Sequence, residues 1–411
     1  MKAKSLPILF LTLGFCFAVS SCSSDEPDRQ QPTTPEINLT RSEQTVNTNL
    51  NDFGLRLFNA VSSDPKILHD NPNFAVSPVS MAIALGMCAN VYNDDFTSGV
   101  LSALDCNNVD ELNSLCRKLM MFLPDPSNKC ELSLANALWC DTGLAPTAAC
   151  RSALTDYFFS DISTLNFSNT EAAAKTINSW AARSTKNVID HVVGPLELVG
   201  TRVLLANAMY FKGEWKTKFS KTNTVTGEFH GSGVDRSVDY MCDKRVMPYM
   251  ACDRFQAVTL GYKGNCSMIA VLPAEGLDID DFSSTFNAED LARCISERAN
   301  YIVNLSFPKF ESEIHAQCND VLSGLGIDMR SGHLKGIDGA EDNISLSLGH
   351  TAKVSTDEDG TVAAAVTLAP GSSSPGLAIA GEVTLNFDRP FIYFIRNNKT
   401  GSIIMAGRFA K

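Results

Sequence analysis

Val203-Leu204-Leu205-Ala206-Asn207-Ala208-Met209-Tyr210-Phe211 is the stretch on which the fold turns. Successive side chains of a strand point to opposite faces, so a nearly unbroken apolar run predicts a strand covered on both sides. Met268–Leu272 is a second such run. Farther on, Val303, Leu305 and Phe307 alternate with Asn304 and Ser306, the period of a strand with one covered face. Phe391–Ile395 and Ile403–Ala406 read as a closing pair around the turn Asn397-Asn398-Lys399-Thr400-Gly401. Upstream the period changes. Phe53, Leu57, Phe58 and Val61 share one helical face, and Ser80 to Met87 carries good helix formers behind a Ser77-Pro78 start. Helices early and strands late predict an α+β fold.

Around this core the chain has 411 residues, 44% of them hydrophobic and 19% charged, with a net charge of −12. That composition excludes global disorder and allows one large core. No cluster of Lys and Arg appears along the sequence, so no nucleic-acid partner and no heparin-type activation are expected. Residues 1–21 differ from the rest: Lys2 and Lys4 precede an apolar run from Leu6 to Val19, too short to span a membrane and typical of an export signal. Val19-Ser20-Ser21-Cys22 resembles a bacterial lipobox, which makes Cys22 the lipidated first residue of the mature chain. Residues 22–42 are then a polar tether, and 43–411 one domain, since no linker or repeat interrupts them before Pro370–Pro375. Ser23-Ser24-Asp25-Glu26 resembles the surface-export signal of some Gram-negative lipoproteins, so the expected location is the outer membrane. Of the 13 cysteines, 11 remain beyond Cys16 and Cys22; without Cys-x-x-Cys spacing they predict small buried hydrophobes, with no metal and no disulfide framework.

Enzyme signatures are absent from the sequence: no Gly-x-Ser-x-Gly elbow, no His-Glu-x-x-His, no phosphate loop. His350, flanked by apolar residues, could pair with Ser77 or Ser80, and a buried structural hydrogen bond is its expected role rather than catalysis. The oddest segment runs from Glu358 to Pro390. Residues 361, 363, 365, 367 and 369 are Thr, Ala, Ala, Thr and Ala, all small and on one face of a strand, so the segment could slide between two existing strands. An ordinary loop with an Ala-rich stem is the plainer alternative.

From Phe53 to Lys411 the sequence resembles the serpins. The resemblance rests on Asn73-Phe74-Ala75-Val76-Ser77-Pro78-Val79-Ser80, on Asn207 to Trp215 with Phe219, on Phe307-Pro308-Lys309-Phe310, on His350 and on Phe387-Asp388-Arg389-Pro390-Phe391, in the family's order. It implies a helix-rich N-terminal half packed on a large central β-sheet, further sheets, and an exposed reactive loop at about 358–386. It also implies a monomer without cofactor that traps a target protease. Ser77, Ser80, Asn207 and His350 match the family's shutter, and Trp215 its breach. Glu358, Gly360, Thr361, Ala363, Ala364 and Ala365 match the hinge. The implied mechanism is release of stored strain: a protease attacks the loop, forms an acyl-enzyme, and is carried off as the hinge inserts as a new strand.

Two departures from the family pattern stand out. Val362, Ala364, Val366 and Leu368 make the outward hinge face unusually apolar, which raises the risk of edge pairing between molecules. The distance from Thr361 to Pro390 is about five residues longer than in familiar members, a count that rests on the resemblance. Counting forward from Glu358 puts the cut residue at Ser374, before Pro375; counting back from Phe387 puts it near Ile379, so Leu377 and Ala378 stay in play. No Lys or Arg occurs between Lys353 and Arg389, which disfavours a trypsin-like target and points to elastase-like or subtilisin-like proteases, with papain-like cysteine proteases open. Three classes of function follow: a lipid-anchored protease inhibitor, a non-inhibitory carrier serpin, and a hydrolase built on Ser77 or Ser80 with His350.

Overall fold

The computed structural model describes residues 36–126, 129–329, 333–340, 349–361 and 378–411. The export signal, Cys22 and most of the tether lie outside them, as do Ala363, Ala364, Ala365, Ser374, Pro375 and Leu377. The helices are α1 Arg41–Ser62, α2 Pro65–Asp70, α3 Pro78–Ala89, α4 Asp94–Ala103, α5 Val109–Phe122, α6 Ala148–Phe158, α7 Thr170–Ser184, α8 Ile279–Thr285, α9 Ala288–Ser296 and α10 Asn319–Gly324. Helix α1 starts two residues before Glu43, because the Thr40 side chain accepts from the Glu43 N–H while the Glu43 carboxylate accepts from Thr40 N–H. Ile37 and Leu39 already pack on the core.

Among the described residues three sheets follow. The central one has the order β11 Phe310–Gln317, β13 Gly349–Asp357, β14 Gly360–Thr361, β5 Val203–Glu214, β2 Glu131–Cys140, β4 Asp161–Thr164. The nine-stranded one runs β1 Phe74–Val76, β17 Ile403–Phe409, β16 Phe391–Asn397, β9 Cys266–Pro273, β8 Phe255–Gly261, β7 Asp235–Ala251, β10 Ala299–Pro308, β15 Gly381–Asn386, with β6 Thr224–His230 beside β7. A short pair joins β3 Ala145–Pro146 to β12 Ile337–Asp338. This is the α+β architecture that the sequence implied.

The apolar run that opened the reading is β5, and both its faces are covered. Val203, Leu205, Met209 and Phe211 enter the main core. Leu204, Ala206 and Ala208 face the other way, into a smaller cluster with Ala173, Ala174, Ile177 and Trp180 of α7. Small residues on both sides let α7 lie close across the sheet, and Trp139 of β2 meets Trp180 edge-on at 5.3 Å. On the core side every residue of α3 is buried, and α1 crosses α3 where a Cβ on Gly54 would lie 2.4 Å from Pro78 Cβ. Phe307, Phe310, Phe387, Phe391 and Phe409 interlock where the nine-stranded sheet meets the central one. Each such ring, fully buried, contributes roughly 1.5–3 kcal/mol.

The 11 cysteines beyond Cys22 are thiols rather than disulfides, and nine of them are buried. Burial pushes the thiols of Cys88, Cys294 and Cys318 up to about 12, so they stay protonated and behave as the apolar residues the sequence suggested.

Candidate functional site

At the top of the central sheet the chain leaves β13, turns over Glu358-Asp359, and returns as β14. The turn is closed by Asp357, whose Oδ1 accepts from the N–H groups of Asp359 (2.9 Å) and Gly360 (3.1 Å). Strand β14 pairs antiparallel with β13 on one side and with β5 on the other, Gly360 opposite Glu214 and Thr361 opposite Gly213. Its two described residues form a wedge between strands that run parallel to each other. Gly360 is required there: its φ is +152°, and a Cβ would lie 2.1 Å from Gly213 O.

Thr361 is fully buried. Its hydroxyl lies 2.7 Å from Tyr262 Oη and 3.4 Å from Thr356 Oγ1. Tyr262 stacks on Trp215, with centroids 4.5 Å apart and planes 6° from parallel. Trp215 follows β5 and grips the turn twice, through Nε1–H to Asp357 O (2.8 Å) and N–H to Asp359 O (3.0 Å); Phe219 N–H adds a bond to Glu358 O. Trp215, matched to the breach, and Gly360 and Thr361, matched to the hinge, thus meet in one place.

Both acids of the turn are held by lysines. Burial raises the Glu358 carboxyl, but Lys309 Nζ at 2.8 Å and the Thr224 hydroxyl at 2.6 Å outweigh it and leave the group below its ordinary value. Asp359 is lowered by Lys218 at 2.8 Å and by Lys221 at 3.0 Å. Both carboxylates are therefore charged at neutral pH.

Beneath the middle of the sheet lies a polar chain. His350 Nε2 accepts from the Ser77 backbone N–H at 3.0 Å. Ser77 Oγ donates to Ile404 O (2.8 Å) and accepts from Ser80 N–H (3.1 Å). Ser80 Oγ bonds Asn207 Oδ1; Asn207 Nδ2 donates to Asn136 Oδ1 (2.7 Å), and Asn136 Nδ2 to Phe158 O (2.7 Å). The four residues matched to the shutter are joined here, His350 at one end and Asn207 toward the other. Burial drives the His350 pKa down to about 4, so the ring is neutral. Its acceptor nitrogen is spent on a backbone N–H, and both serine hydroxyls have other partners. The hydrolase reading needs a hydroxyl on His350, and neither the Ser77 nor the Ser80 hydroxyl is bonded to that ring.

Of the cut-bond candidates, Ala378 and Ile379 are described, and both are exposed. Chain pairing starts at once behind them: Ala380 N–H donates to Asn300 O at 2.8 Å, and Gly381 opens the parallel pairing of β15 with β10. Residues that sequence reading gave no role are Tyr262, Asn136, Thr224, Lys218 and Asp359. Lys309 stood inside a quoted motif, again without a role. A separate exposed group, Glu228, His230 and Asp235, lies at the end of the β6–β7 hairpin with donor atoms within 4.8 Å of one another.

The profile of the family described as Serpin (serine protease inhibitor) matches residues 48–411. This chain belongs to the serpin family. It is 28% identical to Serpin A3-7 of Bos taurus, over 98% of this chain and 96% of that protein. Among solved structures, the native state of Tengpin, described as a thermophilic serpin, is similar with a TM-score of 0.79 and 25% identity, over 92% of this chain and 96% of that one. Thyroxine-binding globulin in complex with thyroxine is similar in fold, with a TM-score of 0.78 at 23% identity, over 89% and 99% of the two chains.

Proposed function

We propose that this chain is a covalent inhibitor of serine endopeptidases, held at the outer membrane of a Gram-negative cell by lipid on Cys22 and acting as a monomer. The observation that carries the proposal is the wedge: Gly360 and Thr361 already sit as a strand between β13 and β5, so the central sheet accepts the hinge at its top. In the proposed reaction the protease hydroxyl attacks a loop carbonyl, its proton passes to the leaving amine, and the peptide bond breaks to give an ester and a free N-terminus on the β15 side. The freed hinge then extends β14 downward, and Ala363 and Ala365 follow Thr361 into the sheet. The ester is carried away from the geometry that would hydrolyse it.

The anchoring at Ala380 and Gly381 bears on where the cut lies. A protease cleft holds extended chain on both sides of the bond it breaks. Cleavage after Ile379 would need residues already paired with β10, which favours the earlier candidates Ser374, Pro375, Leu377 and Ala378 over Ile379. Small and aliphatic side chains there suit elastase-like and subtilisin-like enzymes. Incubation with elastase and with subtilisin is expected to give an adduct that survives boiling in detergent, and mass spectrometry of the released C-terminal peptide locates the bond. Loop cleavage with no adduct would place the chain among carrier serpins instead.

A further inference from the structure

Strands β7, β8, β9 and β16 close a cleft of about 450 Å³ with the segment after β5, the α9–β10 connection and the β16–β17 turn. Lys216, Arg245, Arg298 and Arg396 line it, and no Asp or Glu is among its lining residues. These four come from positions spread over 180 residues of sequence, which is why no basic cluster could be read there. Arg245 is paired with Asp243 and lies over the Phe219 ring at 4.8 Å, so its charge is already matched. Lys216, Arg298 and Arg396 have no acidic partner among the described residues.

A half-buried arginine facing a second arginine is costly unless an anion joins them. Burial, then the charge of Arg298, pushes the Arg396 guanidinium below its ordinary value. The chain as a whole carries −12, so its long-range field repels anions. Capture must therefore rest on short-range, directional bonds, for which a guanidinium fork matched to tetrahedral oxyanions is suited. Thr217, Thr259 and Ser267 also line the cleft, so its wall is polar beyond the cations.

We propose that this cleft binds a small, multiply charged oxyanion, a phosphate or sulfate ester, between Arg298, Arg396 and Lys216. The reading is independent of protease trapping. It is tested by calorimetry on the purified protein at a fixed ionic strength of 0.15 M, with sodium tripolyphosphate, glucose 6-phosphate and glucose 6-sulfate as separate titrants. Tripolyphosphate is expected to bind one to one with a dissociation constant below about 1 mM, and Arg298→Gln is expected to weaken it at least about tenfold, the loss of one charge-assisted contact. Lys216→Gln, at an exposed position, gives a second variant free of folding effects and should weaken binding likewise. Tighter binding of the sugar phosphate or of the sugar sulfate decides the ester class. The proposal is overturned if none of the three titrants gives heat above sodium chloride, or if both variants bind as tightly as the parent.

Discussion

Replacing Thr361 by arginine tests the wedge most directly. Thr361 has no exposed surface, and its hydroxyl is bonded to Tyr262 at 2.7 Å. A guanidinium at this point would stand unpaired in a buried site, which costs several kcal/mol. Leaving the sheet is cheaper: it forfeits the Tyr262 bond and the pairing with Gly213 and Thr356, about 1 kcal/mol each, or roughly 2–4 kcal/mol once the exposed ends of β13 and β5 are included. If that difference enters the barrier to insertion, the step slows by roughly 30- to 1,000-fold. Deacylation is untouched and wins the race. The assay counts inhibitor molecules consumed per elastase inactivated, with detergent-stable adduct as the second readout. Thr361→Arg should be cleaved without trapping, Thr361→Ser should trap like the parent, and the uncleaved variant's circular dichroism should be native. Trapping by Thr361→Arg at the parent's stoichiometry refutes the reasoning.

Further outcomes follow from the same geometry. Lys309→Ala strips a nearly buried Glu358 of its cation and should lower the melting temperature by about 2–6 °C, with Lys309→Arg restoring most of it. Gly360→Ala places a Cβ against Gly213 O and should raise the inhibitor consumed per protease while leaving loop cleavage intact. His350 titrates near 6.5 when unfolded and near 4 when folded; the unfolded chain binds the extra proton, so stability should fall by about 3 kcal/mol between pH 6.5 and 4 and level off below. In denaturant titrations His350→Gln should remove that slope; a slope unchanged in the variant assigns it to other groups. Loop-cleaved protein should melt well above the intact form, and equal melting would remove the strain on which trapping depends.

The elements legible in the sequence were those whose period is set by burial. The run Val203–Phe211, the alternation Val303–Phe307 and the Ser77-Pro78 helix start each announce themselves within ten residues, and each stands where expected. The site was legible only through the motifs it shares with a family. Nothing local marks Tyr262 as the partner of Thr361, since 99 residues separate them and only pairing of distant strands brings them together. Lys218, Lys221 and Lys309 read as ordinary surface charges until the turn sets Glu358 and Asp359 against them. The Asn136–Asn207 contact needs the register of β2 on β5, which no single segment specifies.

Trp215 gives the molecule an optical gauge of its own. Only three tryptophans occur, and Trp139 of β2 and Trp180 of α7 meet between sheet and helix, where substitution by phenylalanine would silence them. The remaining indole lies flat on Tyr262 and donates to the carbonyl of Asp357. Any departure of the wedge shifts the polarity around that ring, and emission colour then reports, without label and in real time, how far the sheet has opened.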